Sequence, residues 1–123
     1  MTFKTIALAA AMMLGSALPA AAQSLCSEPI APAAIDGNTA TKEQIVSILA
    51  DVKTFIKQSD DYQGCLLKEL ADARLKAVKD KKDLDPTLEP AVTAKVQANQ
   101  SLKEKVGKEF NDAAIAYNAK HPK

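Results

Sequence analysis

The strongest constraint on the fold is one apolar stripe that runs with helical spacing from residue 45 to residue 78. Its members recur in steps of three and four, as on one face of an α-helix: Ile45, Ile48, Leu49, Val52, Phe55, Ile56, Tyr62, Leu66, Leu67, Leu70, Ala73, Ala77 and Val78. Thr41 and Gln44 form a capping box directly before it. The sequence therefore predicts a helix from about residue 42 to 82, about 60 Å long.

One segment of this helix leaves two interpretations open. Ser59, Asp60 and Asp61 could cap a new helix, and Gly64 costs about 1 kcal/mol inside a helix. The stripe nevertheless stays in phase through residues 59, 62 and 66. We therefore expect a helix that is continuous or merely kinked near residues 60–64.

A second amphipathic helix follows a turn at residues 83–90, which contains Pro86 and Pro90. With Thr87 as the cap, Pro90 falls in the first turn, where proline is tolerated. The helix should run from about 88 to 119 and carry Asn99 on its apolar stripe, where a polar side chain specifies register or bonds across the helices. The fold class predicted is all-α, an antiparallel hairpin of two long helices over residues 42–123.

The N-terminus has the pattern of a cleaved secretory signal peptide at residues 1–22. Lys4 precedes an apolar run, and Ala20 to Ala22 supply a small-residue cleavage site. Pro19 argues against a membrane anchor, and Leu25 argues against a lipid-modified Cys26. The predicted location is the periplasm or the extracellular medium. Residues 23–41, which contain two prolines and a glycine, should form an irregular strap packed on the helices.

Cys26 and Cys65 are the two cysteines of the chain. In an exported protein an even cysteine count predicts a disulfide, and Cys65 lies off the apolar stripe, where the strap can reach it. The bond would make the strap run antiparallel to the first helix and place Ile30 and Ile35 against its flank. A redox-active pair is the alternative, although such pairs are usually close in sequence.

Charge and composition argue against several classes of function. Cleavage would remove Lys4 and leave 15 basic residues against 15 acidic ones, so attraction to nucleic acid or anionic lipid is not expected. His121, the one histidine, lies in the C-terminal tail without a carboxylate pair around it. The sequence contains no phosphate-binding loop, haem motif or nucleophile elbow. We expect no catalytic residues, metal or cofactor.

The most unusual local composition is the segment 59–65. Asp60, Asp61 and Tyr62 could form a polar binding spot beside the disulfide. The alternative, which we favour, is that Tyr62 is a half-buried residue of the stripe and the aspartates belong to a solvated face.

A set of short motifs spans nearly all of the sequence after residue 22. They are Asp36-Gly37, Phe55-Ile56, Ser59 to Gln63, Cys65-Leu66, Lys103-Glu104, Gly107, Phe110-Asn111 and Ala116-Tyr117, together with a cysteine soon after the signal peptide. In these motifs the chain resembles small, uncharacterised exported proteins of Gram-negative bacteria. The resemblance implies a periplasmic setting and no activity. Periplasmic acid-stress chaperones are similar in size and helicity, by analogy alone.

Our functional hypothesis is a non-catalytic periplasmic protein that binds another protein, in an envelope-stress or holdase role. The alternative is an accessory subunit with one fixed partner, and an enzyme is a third class. A two-helix hairpin buries one seam, so two copies could also pair as a homodimer.

Overall fold

The computed structural model describes residues 24–123, so the predicted signal peptide lies outside the described residues. Helix α1 spans Lys42–Asp80 and helix α2 spans Leu88–Lys120. The two helices pack against each other as an antiparallel hairpin, and the described part contains no strand. The predicted all-α hairpin fold is therefore confirmed.

Both ends of α1 are capped by local hydrogen bonds. The Thr41 hydroxyl accepts from the Gln44 amide at 3.2 Å, and the Gln44 side chain accepts from the Thr41 amide at 2.8 Å, which completes the capping box. At the other end Lys81 has a φ of 51°, and its amide donates to the carbonyls of Ala77 and Val78. Between these caps α1 is one helix, without interruption at residues 59–64.

The turn before α2 is organised by Asp85. Its Oδ1 accepts from the Thr87 amide at 2.8 Å and from the Thr87 hydroxyl at 2.7 Å. The backbone bond is the larger reason why the pKa of Asp85 lies below its usual value. Thr87 does occupy the N-cap position of α2, but its hydroxyl makes no capping bond and instead donates to Asp85 within the turn.

The core consists of two apolar clusters separated by a polar layer. The first joins Ile48, Val52, Phe55 and Val106, and the second joins Tyr62, Leu66, Leu70 and Val92. Ser59 and Asn99, both fully buried, lie between them in sequence on α1 and α2. The predicted stripe is wrong for two members: Leu67 and Val78 are exposed, because α2 covers a narrower face of α1 than the spacing implied.

The strap runs antiparallel to α1, as the disulfide required. Cys26 packs on the second cluster, whereas Ala31 and Ile35 pack on the first. The prediction for Ile30 is wrong: it is 90% exposed, and its neighbour Ala31 takes the buried position because an irregular strap does not follow a helical period.

The strap ends in a tight turn that brings Gly37 against α2. Asp36 Oδ1 accepts from the Asn38 amide at 2.9 Å, and this bond is the main cause of a lowered pKa for Asp36. A Cβ on Gly37 would lie 1.8 Å from the carbonyl oxygen of Ala113. The glycine is therefore required by the close approach of the strap backbone to α2.

Candidate functional site

The first described residues of the strap are fixed to α1 by one covalent bond and two hydrogen bonds. Cys26 and Cys65 form a disulfide with their Cα atoms 5.7 Å apart. One helical turn further on, Glu69 accepts from the Ser24 hydroxyl at 2.9 Å and from the Leu25 amide at 2.8 Å. The strap is thus held on both sides of residue 25.

Two large apolar side chains on this fixed segment face solvent. Leu25 is 93% exposed and Ile30 is 90% exposed, although the backbone between them is tied to α1 by the disulfide. Burial of either side chain would stabilise a contact by about 1.5–3 kcal/mol. The fold does not use that free energy, so it is available to a second molecule.

An open groove of about 370 Å³ lies beside the strap, and the strap residues that line it fall between Leu25 and Ile30 in the sequence. Its lining comes from the strap and from α1: Ser27, Glu28, Pro29, Gln58, Asp61 and Tyr62. Glu28 and Asp61 give the groove an acidic character. We call the groove together with Leu25 and Ile30 the strap surface.

Tyr62 forms the floor of this groove. The residue is 6% exposed and belongs to the second core cluster. Burial, followed by the negative charges of Glu28 and Glu69, raises the pKa of its phenol. Tyr62 is therefore a neutral, mostly buried ring at ordinary pH, as expected for a residue of the apolar stripe.

The structure brings together two of the three residues predicted as a polar spot and separates the third. Asp61 and Tyr62 both line the groove, and Asp61 also pairs with Lys57 at 2.8 Å. Asp60 lies outside the groove, on the side of α1 next to α2, and pairs with Lys103 of α2 at 2.6 Å. The hydrogen bond to Asp61 raises the pKa of Lys57.

Sequence reasoning missed the strap half of this site. Leu25, Glu28 and Ile30 follow no periodic pattern, so their direction could not be read from spacing. The available signal was the density of large apolar residues in a segment rich in proline, which indicated packing and not exposure.

Two further groups have ligand-like residue types. Cys26, Cys65 and Glu69 place one potential ligand atom each within 4.8 Å of one another, but both sulfurs are joined in the disulfide and neither offers a thiolate. The ring of His121 stacks on Tyr117 with centroids 4.3 Å apart, and its Nδ1 lies 3.0 Å from the Tyr117 carbonyl oxygen. The stacking explains how this tail residue is held at the end of α2.

Comparison with known proteins gives no match: no protein family, no curated protein and no solved structure resembles the chain closely enough to be detected. Within residues 24–123, no helix combines the length and the apolar character that crossing a bilayer requires.

Proposed function

We propose that this is a non-catalytic periplasmic protein that acts by binding another protein through the strap surface. The observation that carries the proposal is the exposure of Leu25 and Ile30 on a segment fixed by the disulfide. A flexible terminus would leave such side chains exposed by default. Here the backbone that carries them is held to α1.

Fixing the strap lowers the entropic cost of forming a complex. Association normally orders loops and side chains, at about 0.5–1.5 kcal/mol for each immobilised side chain. The Cys26–Cys65 bond and the two hydrogen bonds to Glu69 order the strap backbone when the protein folds, so its ordering adds no further entropic cost on binding. A partner then gains contact with Leu25 and Ile30 without ordering the segment between them.

The chemistry of the groove indicates the kind of partner. Glu28 and Asp61 face the space between the strap and α1, and Tyr62 supplies an apolar floor. A partner with a complementary surface would carry apolar side chains that contact Leu25 and Ile30. It would also carry a lysine or arginine that lies beside the carboxylates.

Rigidity favours one fixed partner over a holdase role. Proteins that bind many clients use flexible, methionine-rich surfaces that can repack. The methionines of this chain are residues 1, 12 and 13, within the predicted signal peptide, and the strap is fixed by the Cys26–Cys65 bond. The holdase role remains the second candidate, supported by the large apolar side chains at the surface.

The proposed compartment rests on three observations. Residues 1–22 have the signal-peptide pattern, a structural disulfide is typical of an oxidising compartment, and the motifs resemble those of exported Gram-negative proteins. All three favour the periplasm.

Two measurements separate the candidate functions. Affinity capture from periplasmic extract should give one stoichiometric partner for a fixed-partner protein, and Ile30→Ser should abolish its capture. A matched control is Ile115→Ser, which alters an exposed isoleucine on α2 and should leave capture intact. Suppression of aggregation of unrelated client proteins would instead support the holdase role. Loss of both behaviours would contradict the proposal.

A further inference from the structure

Three potential ligand atoms meet where the strap is joined to α1. Sγ of Cys26, Sγ of Cys65 and a carboxylate oxygen of Glu69 lie within 4.8 Å of one another. In a tetrahedral Zn²⁺ site, with Zn–S near 2.3 Å and Zn–O near 2.1 Å, neighbouring ligand atoms lie about 3.6–3.8 Å apart. Two sulfurs at the covalent distance of about 2.05 Å would have to separate by about 1.7 Å to reach that spacing. Small side-chain rotations are therefore enough to convert this group into a metal site once the disulfide is open.

The fold supplies these ligands from two elements. Cys65 and Glu69 are four residues apart on α1, so their side chains lie on the same face of the helix. Cys26 comes from the strap, with its Cα atom 5.7 Å from that of Cys65. All three residues are partly exposed, so a metal ion or a reductant can reach them from solvent.

The Glu69 carboxylate is already oriented by the strap. Its Oε2 accepts from the Ser24 hydroxyl at 2.9 Å, and its Oε1 accepts from the Leu25 amide at 2.8 Å. An ionised carboxylate has about four acceptor positions, so it can keep both bonds and still bind an ion. Carboxylates that bind metals in proteins are typically held by hydrogen bonds of this kind.

Contacts other than the disulfide keep Cys26 close to Cys65. The two hydrogen bonds to Glu69 involve neither sulfur. Further along the strap, Ala31 and Ile35 pack on the first core cluster. The strap is thus attached to the helices on both sides of Cys26, and these attachments remain when the disulfide is opened.

The ligand types favour Zn²⁺ over other common ions. Ca²⁺ and Mg²⁺ take oxygen ligands, and Cu⁺ is selected by sulfur ligands. Zn²⁺ binds both thiolates and carboxylates, and a water molecule can complete its tetrahedron.

From these contacts we infer that the reduced chain binds one Zn²⁺ ion through Cys26, Cys65 and Glu69, and that the ion fastens the strap to α1 in place of the disulfide. A dithiol supplies the two electrons and two protons that convert the disulfide into two thiols, and is itself oxidised to a disulfide. Zn²⁺ then displaces both thiol protons as it binds. The site belongs to the reduced chain and needs no protein partner, so it is independent of the proposed function.

The test is calorimetric titration with Zn²⁺ of the protein reduced by a phosphine, which adds no competing thiol. We expect one ion bound per reduced chain and none by the disulfide-bonded chain. Glu69→Gln should weaken binding by at least about tenfold, because it removes a ligand. Glu43→Gln makes the same change in the first turn of α1 and should leave the affinity unchanged.

Two further measurements distinguish this site from binding by loose thiols. Co²⁺ in place of Zn²⁺ should give thiolate-to-cobalt charge-transfer absorption in the reduced chain. Zn²⁺ should also raise the Tm of the reduced chain towards that of the disulfide-bonded chain. The inference would be overturned if the reduced chain bound no Zn²⁺, if the disulfide-bonded chain bound it equally well, or if Glu69→Gln kept the original affinity. Binding without a rise in Tm would also overturn it, since the ion would not then fasten the strap.

Discussion

Asn99 on α2 donates a hydrogen bond from Nδ2 to the hydroxyl of Ser59 on α1 at 3.3 Å, and both side chains are fully buried. Asn99 Oδ1 accepts from Gln63 Nε2 at 2.8 Å. A slip of one helix along the other would leave these polar atoms buried without partners, so the layer fixes the register of the hairpin.

Asn99→Ala should therefore destabilise the fold by about 1–3 kcal/mol, because Ser59 and Gln63 lose a buried partner. Urea unfolding followed by circular dichroism measures the difference. Gln97→Ala, an exposed change on the same helix, should stay within about 0.5 kcal/mol of the original chain. Equal stability of the two variants would contradict the role given to the polar layer.

The polar layer shows which contacts between the helices can be predicted from the spacing of the apolar residues and which cannot. Asn99 and Ser59 both fall on the apolar stripes, so a bond across the hairpin could be predicted from spacing. Gln63 could not, since it lies off the α1 stripe and joins the layer only because its side chain is long enough to reach Asn99.

Gly37→Ala should destabilise the fold by about 3 kcal/mol, at the upper end for overpacking. The new methyl group would overlap the carbonyl oxygen of Ala113, and the backbone of the strap or of α2 would have to move. Thermal unfolding gives the measurement. An unchanged Tm would mean that the strap does not approach α2 as described.

Gly64→Ala is the matched control for that substitution. Gly64 lies inside α1 with open space around its Cα, so alanine should stabilise the helix by about 0.5–1 kcal/mol. A loss of stability at residue 37 together with a gain at residue 64 would show that the loss comes from the steric overlap with Ala113 and not from replacing a glycine as such.

The path of the strap was less predictable than the helices. The disulfide fixed its direction, but its side-chain orientations depend on the Asp36 turn and on the contact between Gly37 and Ala113. Neither is visible as a period in the sequence. The same limit applies to the candidate site, of which Asp61 and Tyr62 were predicted and Glu28 was not.

Reduction of the disulfide should loosen the strap without unfolding α1 and α2. The 39-residue separation of Cys26 and Cys65 corresponds to about 4 kcal/mol in the chain-entropy model, and each kcal/mol lowers Tm by about 4–8 °C in a chain of this size. Helicity at low temperature should persist. An unchanged Tm after reduction would contradict a stabilising role.

Stability should fall above about pH 10 because of Tyr62. Its pKa is raised in the folded protein above the ordinary value of 10.0, so the unfolded chain loses this proton first and is favoured as pH rises. The Tyr117→Phe variant isolates the phenolate absorbance of Tyr62, which should appear at higher pH when folded than in urea. Coincident titrations in the two states would contradict the burial of this phenol.

Photo-cross-linking at residue 30 in living cells tests the proposed function most directly. A photoreactive amino acid in place of Ile30 lies on the strap surface, and the same substitution at Ile115 lies on an exposed part of α2. The account predicts one discrete adduct with a second protein from position 30 and none from position 115. No adduct at position 30, or the same adducts from both positions, would contradict it.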